Sequence, residues 1–214
     1  RISLMKNIAV IDYGMSNLHS VLKSLNKVIN KNYNLSIAYS SRDIEDASLL
    51  VLPGQGAANS CLEKLASDFP DLKTHIMNKP FLGICLGFQI LFEKSYENDG
   101  VDCFSLITGD VKDFRSTIKI DMKVPHMGWN KVNQKYNHIL WEKIPDKSFF
   151  YFVHSYYAKA TNKTSIFSDS DYEINFTSAI LKDNIFACQF HPEKSSKHGL
   201  QLLSNFINWS EKLT

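Results

Sequence analysis

With 214 residues, 44% of them hydrophobic, the chain is long enough for one α/β domain over 1–214 and holds no Gly/Ser/Pro-rich linker. Its 24 basic and 22 acidic residues nearly cancel and lie spread along the chain, which excludes a nucleic-acid stripe or an acidic tail. No apolar run approaches the roughly 20 residues that span a bilayer, and no secretory leader pattern opens the chain, so the expectation is a cytoplasmic protein without membrane or nucleic-acid partners.

Residues 1–4, ahead of Met5, are set aside from the fold as a candidate remnant. Residues 7–12 form a short apolar run closed by turn residues, the pattern of a buried strand. Leu18, Val21, Leu22 and Leu25 then recur at helical spacing. Residues 35–39 read as a weaker strand, and 49–52 as a strong one running into the turn Pro53-Gly54-Gln55-Gly56-Ala57. Residues 81–84 form another, followed by a helical stripe of Leu86, Ile90 and Leu91. From about 105 to 179 the sequence is aromatic-rich and alternating, as in 149–157, which reads as antiparallel strands at a sheet edge. Residues 185–190 are the last buried strand, and Leu200, Leu203, Phe206 and Ile207 the last helical stripe. Strands alternating with helices predict a mostly parallel central sheet flanked by helices, with additional antiparallel strands in 105–179.

The four cysteines contain no C-x-x-C pair and match no zinc spacing, so neither a metal nor another cofactor is implied. Cys61 and Cys188 lie in apolar runs and read as small buried hydrophobes; Cys103 carries no signal. Cys85 differs. The run Gly83-Ile84-Cys85-Leu86-Gly87 sits between a strand and a helix as G-x-C-x-G, the cysteine form of a nucleophile elbow. Such a turn lifts the sulfur to the carboxyl edge of the sheet and onto backbone N–H groups that favour a thiolate. The bland alternative is a buried cysteine in a Gly-flanked turn.

A second strand ends in Gln189-Phe190-His191-Pro192-Glu193. Pro192 turns the chain, and Glu193 can reach back to accept the imidazole N–H of His191, fixing its tautomer. Six other histidines compete, but none combines a strand end with a carboxylate so near; the alternative is a solvated loop histidine. The Gly54–Gln55 turn has no P-loop lysine. A backbone N–H of Gly54 or Gln55, with that of Leu86, could hold a tetrahedral oxyanion. An ordinary βα turn remains open there.

Together, P-G-Q-G-A, G-I-C-L-G-F-Q and Q-F-H-P-E resemble, in order, the oxyanion, nucleophile and base motifs of the class I (triad) glutamine amidotransferases, over nearly the whole chain. The resemblance implies that Cys85 attacks the glutamine side-chain amide, that His191 moves the protons, and that Glu193 orients His191. It implies substrate contacts from Gln89, Ser155 and Tyr156 besides the backbone near Gly54. Asp12-Tyr13-Gly14-x-x-Asn17-Leu18, Pro125-His126-Met127-Gly128-Trp129-Asn130 and Phe152-Val153-His154-Ser155-Tyr156-Tyr157 look most like the branch serving imidazole glycerol phosphate synthases of histidine biosynthesis. Ser16 departs from that branch, which has glycine there. An amidotransferase domain fills the chain, so the ammonia acceptor is expected on a synthase (cyclase) subunit of (β/α)₈ type in a heterodimer. Lys194, Asn17 and residues 125–130 are candidates for its docking face.

Four other readings compete. A paralogous glutaminase could feed a synthase-like partner that aminates a surface sugar; the anthranilate, GMP and pyridoxal-phosphate glutaminases fit D-Y-G-x-x-N-L and P-H-M-G-W-N less well. A catalytically silent interaction subunit would have no need of the complete Cys–His–Glu set. A peptidase with a similar elbow would have no need of Gln89 and the P-G-Q-G loop.

Overall fold

A computed structural model describes residues 5–15, 17–117 and 122–213. Residues 1–4 and Ser16, on which two of the expectations rest, lie outside the described residues. The first half runs β1 (Lys6–Ile11), α1 (Leu18–Val28), β2 (Tyr33–Ala38), α2 (Ser41–Glu45), β3 (Leu49–Gly54), α3 (Ala58–Asp68), α4 (Leu72–Asn78), β4 (Phe81–Cys85) and α5 (Leu86–Gln89). The second half runs β5 (Lys94–Ser95), β6 (Val101–Asp102), β7 (Gly109–Asp113), α6 (Phe114–Thr117), β8 (His126–Lys131), β9 (Asn133–Gln134), β10 (Phe149–His154), β11 (Tyr156–Ala160), β12 (Ile166–Tyr172), β13 (Ile174–Lys182), β14 (Ile185–Cys188) and α7 (Ser196–Ser210).

The five strands β2-β1-β3-β4-β14 lie side by side and parallel. Their near-continuous apolar runs follow from burial on both faces. Ile8, Val10 and Val51 pack on one side with Val21 and Leu25 of α1 and Leu202, Leu203 and Phe206 of α7. Ala9, Ile11, Leu50 and Leu52 pack on the other, with Cys61 and Leu65 of α3 and Leu72 and Ile76 of α4. The period-2 alternation of a strand thus divides each run between two helix layers.

Beyond β14 the same sheet continues antiparallel through β13, β11 and β7, as the aromatic-rich stretch predicts, and ends in the short β5, parallel to β7, and β6. The alternating run 149–157 is two strands, however. Ser155 breaks it: β10 pairs with β8 in a separate two-stranded sheet, while β11 joins the main one. The helix expected through Leu86, Ile90 and Leu91 is also shorter, ending at Gln89. The carbonyls of Ile90, Leu91 and Phe92 accept from the amides of residues 104–107 instead of from the next helical turn. All three side chains are fully buried, so the stripe reports burial rather than helix length.

Candidate active site

The carboxyl ends of β3, β4 and β14 meet. Gly54 stands in register with Cys85, and Ile84 with Cys188. Cys85 has φ 56° and ψ −104°, a strained conformation for a residue with a side chain. The turn around it is tight enough that a methyl on Gly87 would drive into the Leu52 carbonyl oxygen, and one on Gly83 into the Gly87 carbonyl. This is the close backbone approach that the two flanking glycines permit. The sulfur lines a cavity of about 330 Å³, within the usual small-molecule range, although the residue is only 7% exposed.

His191 follows β14 into the same cavity. Its backbone is tied down: its N–H donates to the Tyr151 carbonyl (2.9 Å), and its carbonyl accepts from Ser195 Oγ (2.6 Å). Glu193 Oε1 accepts from His191 Nδ1 at 2.7 Å, with both side chains buried. Nε2 has no hydrogen-bond partner among the described residues and is the nitrogen left for the thiol. Burial alone would lower the imidazole pKa, but the negative charge of Cys85 and the Glu193 carboxylate outweigh it and raise it to about 10. Because α5 is a single turn, its dipole adds little at Cys85.

Gln89, one turn after Cys85, lines the cavity. Its Nε2 donates to the Tyr156 carbonyl and to Gln189 Oε1, both at 2.9 Å, and Gln189 Nε2 reaches the Cys85 sulfur at 3.6 Å. Ser155 and Tyr156 line the opposite wall, with Lys194 and Pro125 also on the cavity surface. Leu86 opens α5, so its N–H has no intrahelical acceptor. The Gln55 N–H donates to the Met15 carbonyl at 3.2 Å in this conformation. A methyl on Gly54 would drive into the Tyr13 hydroxyl and crowd Leu86 and the Gly87 nitrogen.

The sequence reading assigned no role to Glu97 on the cavity wall or to Gln189 buried beneath Cys85. Glu97 brings a carboxylate to the wall while its Oε2 accepts from the Ala58 N–H at 2.6 Å. It lies in the turn between β5 and β6, which no sequence pattern ties to the site. Gln189 was legible in principle, standing one residue beyond the position paired with Ile84.

Behind Ser155, His126 Nδ1 lies 2.9 Å from His154 Nε2, and both rings are buried. Burial lowers the pKa of His126 to about 4; burial and then the neighbouring His126 lower that of His154 to about 3. An unfolded histidine takes a proton near pH 6.5. Below that pH the unfolded chain gains protons that the folded one refuses, so stability falls as pH falls from 6.5 toward 4. Two such groups remove on the order of 3 kcal/mol between pH 6.5 and 5, at about 1.4 kcal/mol per group per pH unit. Denaturant unfolding at a series of pH values checks this: His126→Phe is expected to cut the acid slope by roughly half, and an unaltered slope would overturn it.

A family model described as glutamine amidotransferase class-I matches residues 9–209. The chain is 46% identical over 208 residues to the "imidazole glycerol phosphate synthase subunit HisH" of Nitrosococcus oceani, covering 96% of this chain and 99% of that one. It is 44% identical over 210 residues to the protein of the same name from Hydrogenovibrio crunogenus, covering 96% and 97%. Among solved structures, a putative GMP synthase protein from Thermoplasma acidophilum superposes with a TM-score of 0.70 at 21% identity, over 97% of this chain and 95% of that one. At that identity the last match speaks for the fold alone.

Proposed function

Since the chain belongs to the class-I glutamine amidotransferase family, we propose that it is the glutaminase subunit of an imidazole glycerol phosphate synthase in histidine biosynthesis. The observation that carries the chemistry is His191, which shares one cavity with Cys85 and is held from behind by the buried Glu193 carboxylate at 2.7 Å. The Cys85 thiolate attacks the side-chain amide carbon of glutamine, forming a carbon–sulfur bond and an oxyanion. His191, as imidazolium, protonates the departing nitrogen, and ammonia leaves as the carbonyl re-forms in a glutamyl thioester. Neutral His191 then takes a proton from water, the hydroxide attacks the thioester, and glutamate and the thiolate are released.

The Leu86 N–H is one donor to the oxyanion. Gln55 supplies the second once its N–H leaves the Met15 carbonyl, and Gly54 gives the loop its close fit. Gln89, Ser155, Tyr156 and the Glu97 carboxylate surround the amino-acid end of the substrate, Glu97 facing its ammonium. All of this lies in one domain.

Ammonia set free in water would be protonated and lost, so the acceptor enzyme, a (β/α)₈ synthase paired with this chain as a heterodimer, covers the cavity mouth. Met127 and Trp129 on β8 and Phe149 on β10 are large apolar side chains left 62, 52 and 48% exposed on the two-stranded sheet. A patch of that kind on a monomer fits a protein interface, and Pro125 and Lys194 on the cavity wall extend it. Among the described residues no helix is long and apolar enough to cross a membrane, which suits a cytoplasmic pathway. The purified chain, assayed for glutamine hydrolysis with and without the synthase subunit of a relative, is expected to hydrolyse glutamine. With that subunit present it is expected to drive formation of imidazole glycerol phosphate and aminoimidazole carboxamide ribotide. Glutaminase activity with no product from that pair would move the chain to another acceptor, such as a surface-sugar precursor.

A further inference from the structure

A continuous set of hydrogen bonds runs from the two-stranded sheet of β8 and β10 to the nucleophile, and the donor at every step is fixed by chemistry. The Tyr156 carbonyl can only accept, so His154 Nδ1, at 2.7 Å, carries the proton. A neutral imidazole holds one proton, which leaves His154 Nε2 as an acceptor; His126 Nδ1, at 2.9 Å, must then donate to it. His126 Nε2 is in turn an acceptor and faces Asn130 Nδ2 at 3.2 Å. Asn130 is itself oriented, because the same Nδ2 donates to the Asp171 carbonyl at 2.8 Å while its Oδ1 accepts from the Lys131 N–H at 2.7 Å. At the inner end, the Tyr156 carbonyl shares its lone pairs between His154 and Gln89 Nε2, and Gln89 leads through Gln189 to the Cys85 sulfur. Both histidines are kept neutral by burial, so neither can take a second proton and reverse a step near neutral pH.

Neither ring is needed merely to fill space. His126 stacks on Tyr172 and Phe152, with ring centroids 4.1 and 4.9 Å apart, a packing role that phenylalanine would serve without buried polar atoms. The strand that carries His126 also carries Met127 and Trp129 outward.

We propose that His126 and His154 are positioning residues that couple the β8 surface to the glutamine cavity, so that a protein seated on Met127 and Trp129 resets the Tyr156 carbonyl and the Gln89 amide through them. The coupling rests on the glutaminase reading and on a synthase subunit docking at that face. It predicts that the partner's effect on turnover is transmitted by hydrogen bonds and not by packing alone.

The test compares wild type, His126→Phe and His126→Asn as full chains, each alone and with saturating synthase subunit. Glutamine kcat, KM and the partner Kd are the readouts. Phenylalanine keeps the stacked ring and loses both hydrogen bonds; asparagine keeps a donor where Nδ1 stands. Wild type should change its kcat when the subunit is added. In His126→Phe that fold-change should shrink at least about fivefold, with KM and partner Kd within about twofold of wild type, and His126→Asn should restore at least half of it. Should His126→Phe fail to fold, Asn130→Ala cuts the outer end of the same chain and should show the same loss at saturating partner. A response in the folded variant equal to that of wild type overturns the coupling, as does an asparagine variant no better than phenylalanine, which would assign the effect to packing. A wild type whose kcat ignores the partner also overturns it. A wild type with no glutamine hydrolysis under either condition would instead overturn the glutaminase reading, and the coupling with it.

Discussion

Cys85→Ser is expected to lower glutamine hydrolysis by about 10⁴-fold or more while leaving the fold intact. The substitution exchanges one atom in a residue that is 7% exposed, so neither the packing nor the strained φ of 56° has reason to change. What changes is the first step. A thiol is partly ionised near neutral pH and its thiolate is an intrinsically strong nucleophile, whereas a serine hydroxyl depends wholly on a general base. The charge of Cys85 is the first influence that raises the pKa of His191, ahead of Glu193, and a neutral serine hydroxyl does not supply it. The pocket thus matches an anionic sulfur beside an imidazolium and gives a neutral oxygen little help. Glutamate release with saturating glutamine, read beside a thermal unfolding curve, is the measurement. Turnover within tenfold of wild type, from a variant that unfolds at the same temperature, would place the nucleophile elsewhere and remove the foundation of the proposed function.

How much of this was legible in the sequence depends on whether a residue acts through its own strand or through a neighbour's. Residues 7–12, 49–52, 81–84 and 185–190 read as strands because both faces of a parallel sheet are covered, leaving short apolar runs closed by turn residues. The turns after them fix where Gly54, Cys85 and His191 emerge, so the core of the site followed from local pattern. The helix after Cys85 did not, because Ile90–Phe92 are buried by residues 104–107, a contact that periodicity cannot express. Ser155 hides similarly: alternation runs through it without a break, yet the chain there passes from one sheet to another. Gln55 shows a third kind of gap. A Gly-rich turn announces free backbone N–H groups, but only the fold reveals that the Met15 carbonyl, forty residues earlier, has taken this one. Glu97 and the His126–His154 pair are assembled entirely by tertiary contacts.

Glu193→Gln separates the charge of the orienting residue from its geometry. Glutamine still presents an oxygen that can accept from His191 Nδ1, so the ring can keep its place and its tautomer; the negative charge is lost. Burial is the largest influence on His191 and acts to lower its pKa, with Cys85 and Glu193 together raising it to about 10. Removing one of those two influences moves the pKa down from that value. The imidazolium is the acid that protonates the departing ammonia, and it is populated only below the pKa of His191. The alkaline limb of kcat should therefore shift toward lower pH in the variant, while wild type holds its activity further into the basic range. At neutral pH the expected loss lies between about 10² and 10⁴ in kcat, the range typical of general acid–base catalysis. KM for glutamine should change far less, since Glu193 bonds to His191 and is absent from the cavity wall. A buried amide opposite a histidine also leaves a second signature. Among the described residues Glu193 Oε2 has no hydrogen-bond partner, so the variant's –NH₂ group, standing in its place, would be a buried donor without an acceptor, costing about 1–3 kcal/mol of stability. A variant with wild-type kcat and an unmoved alkaline limb would show that His191 works without Glu193, reducing the triad to a Cys–His pair.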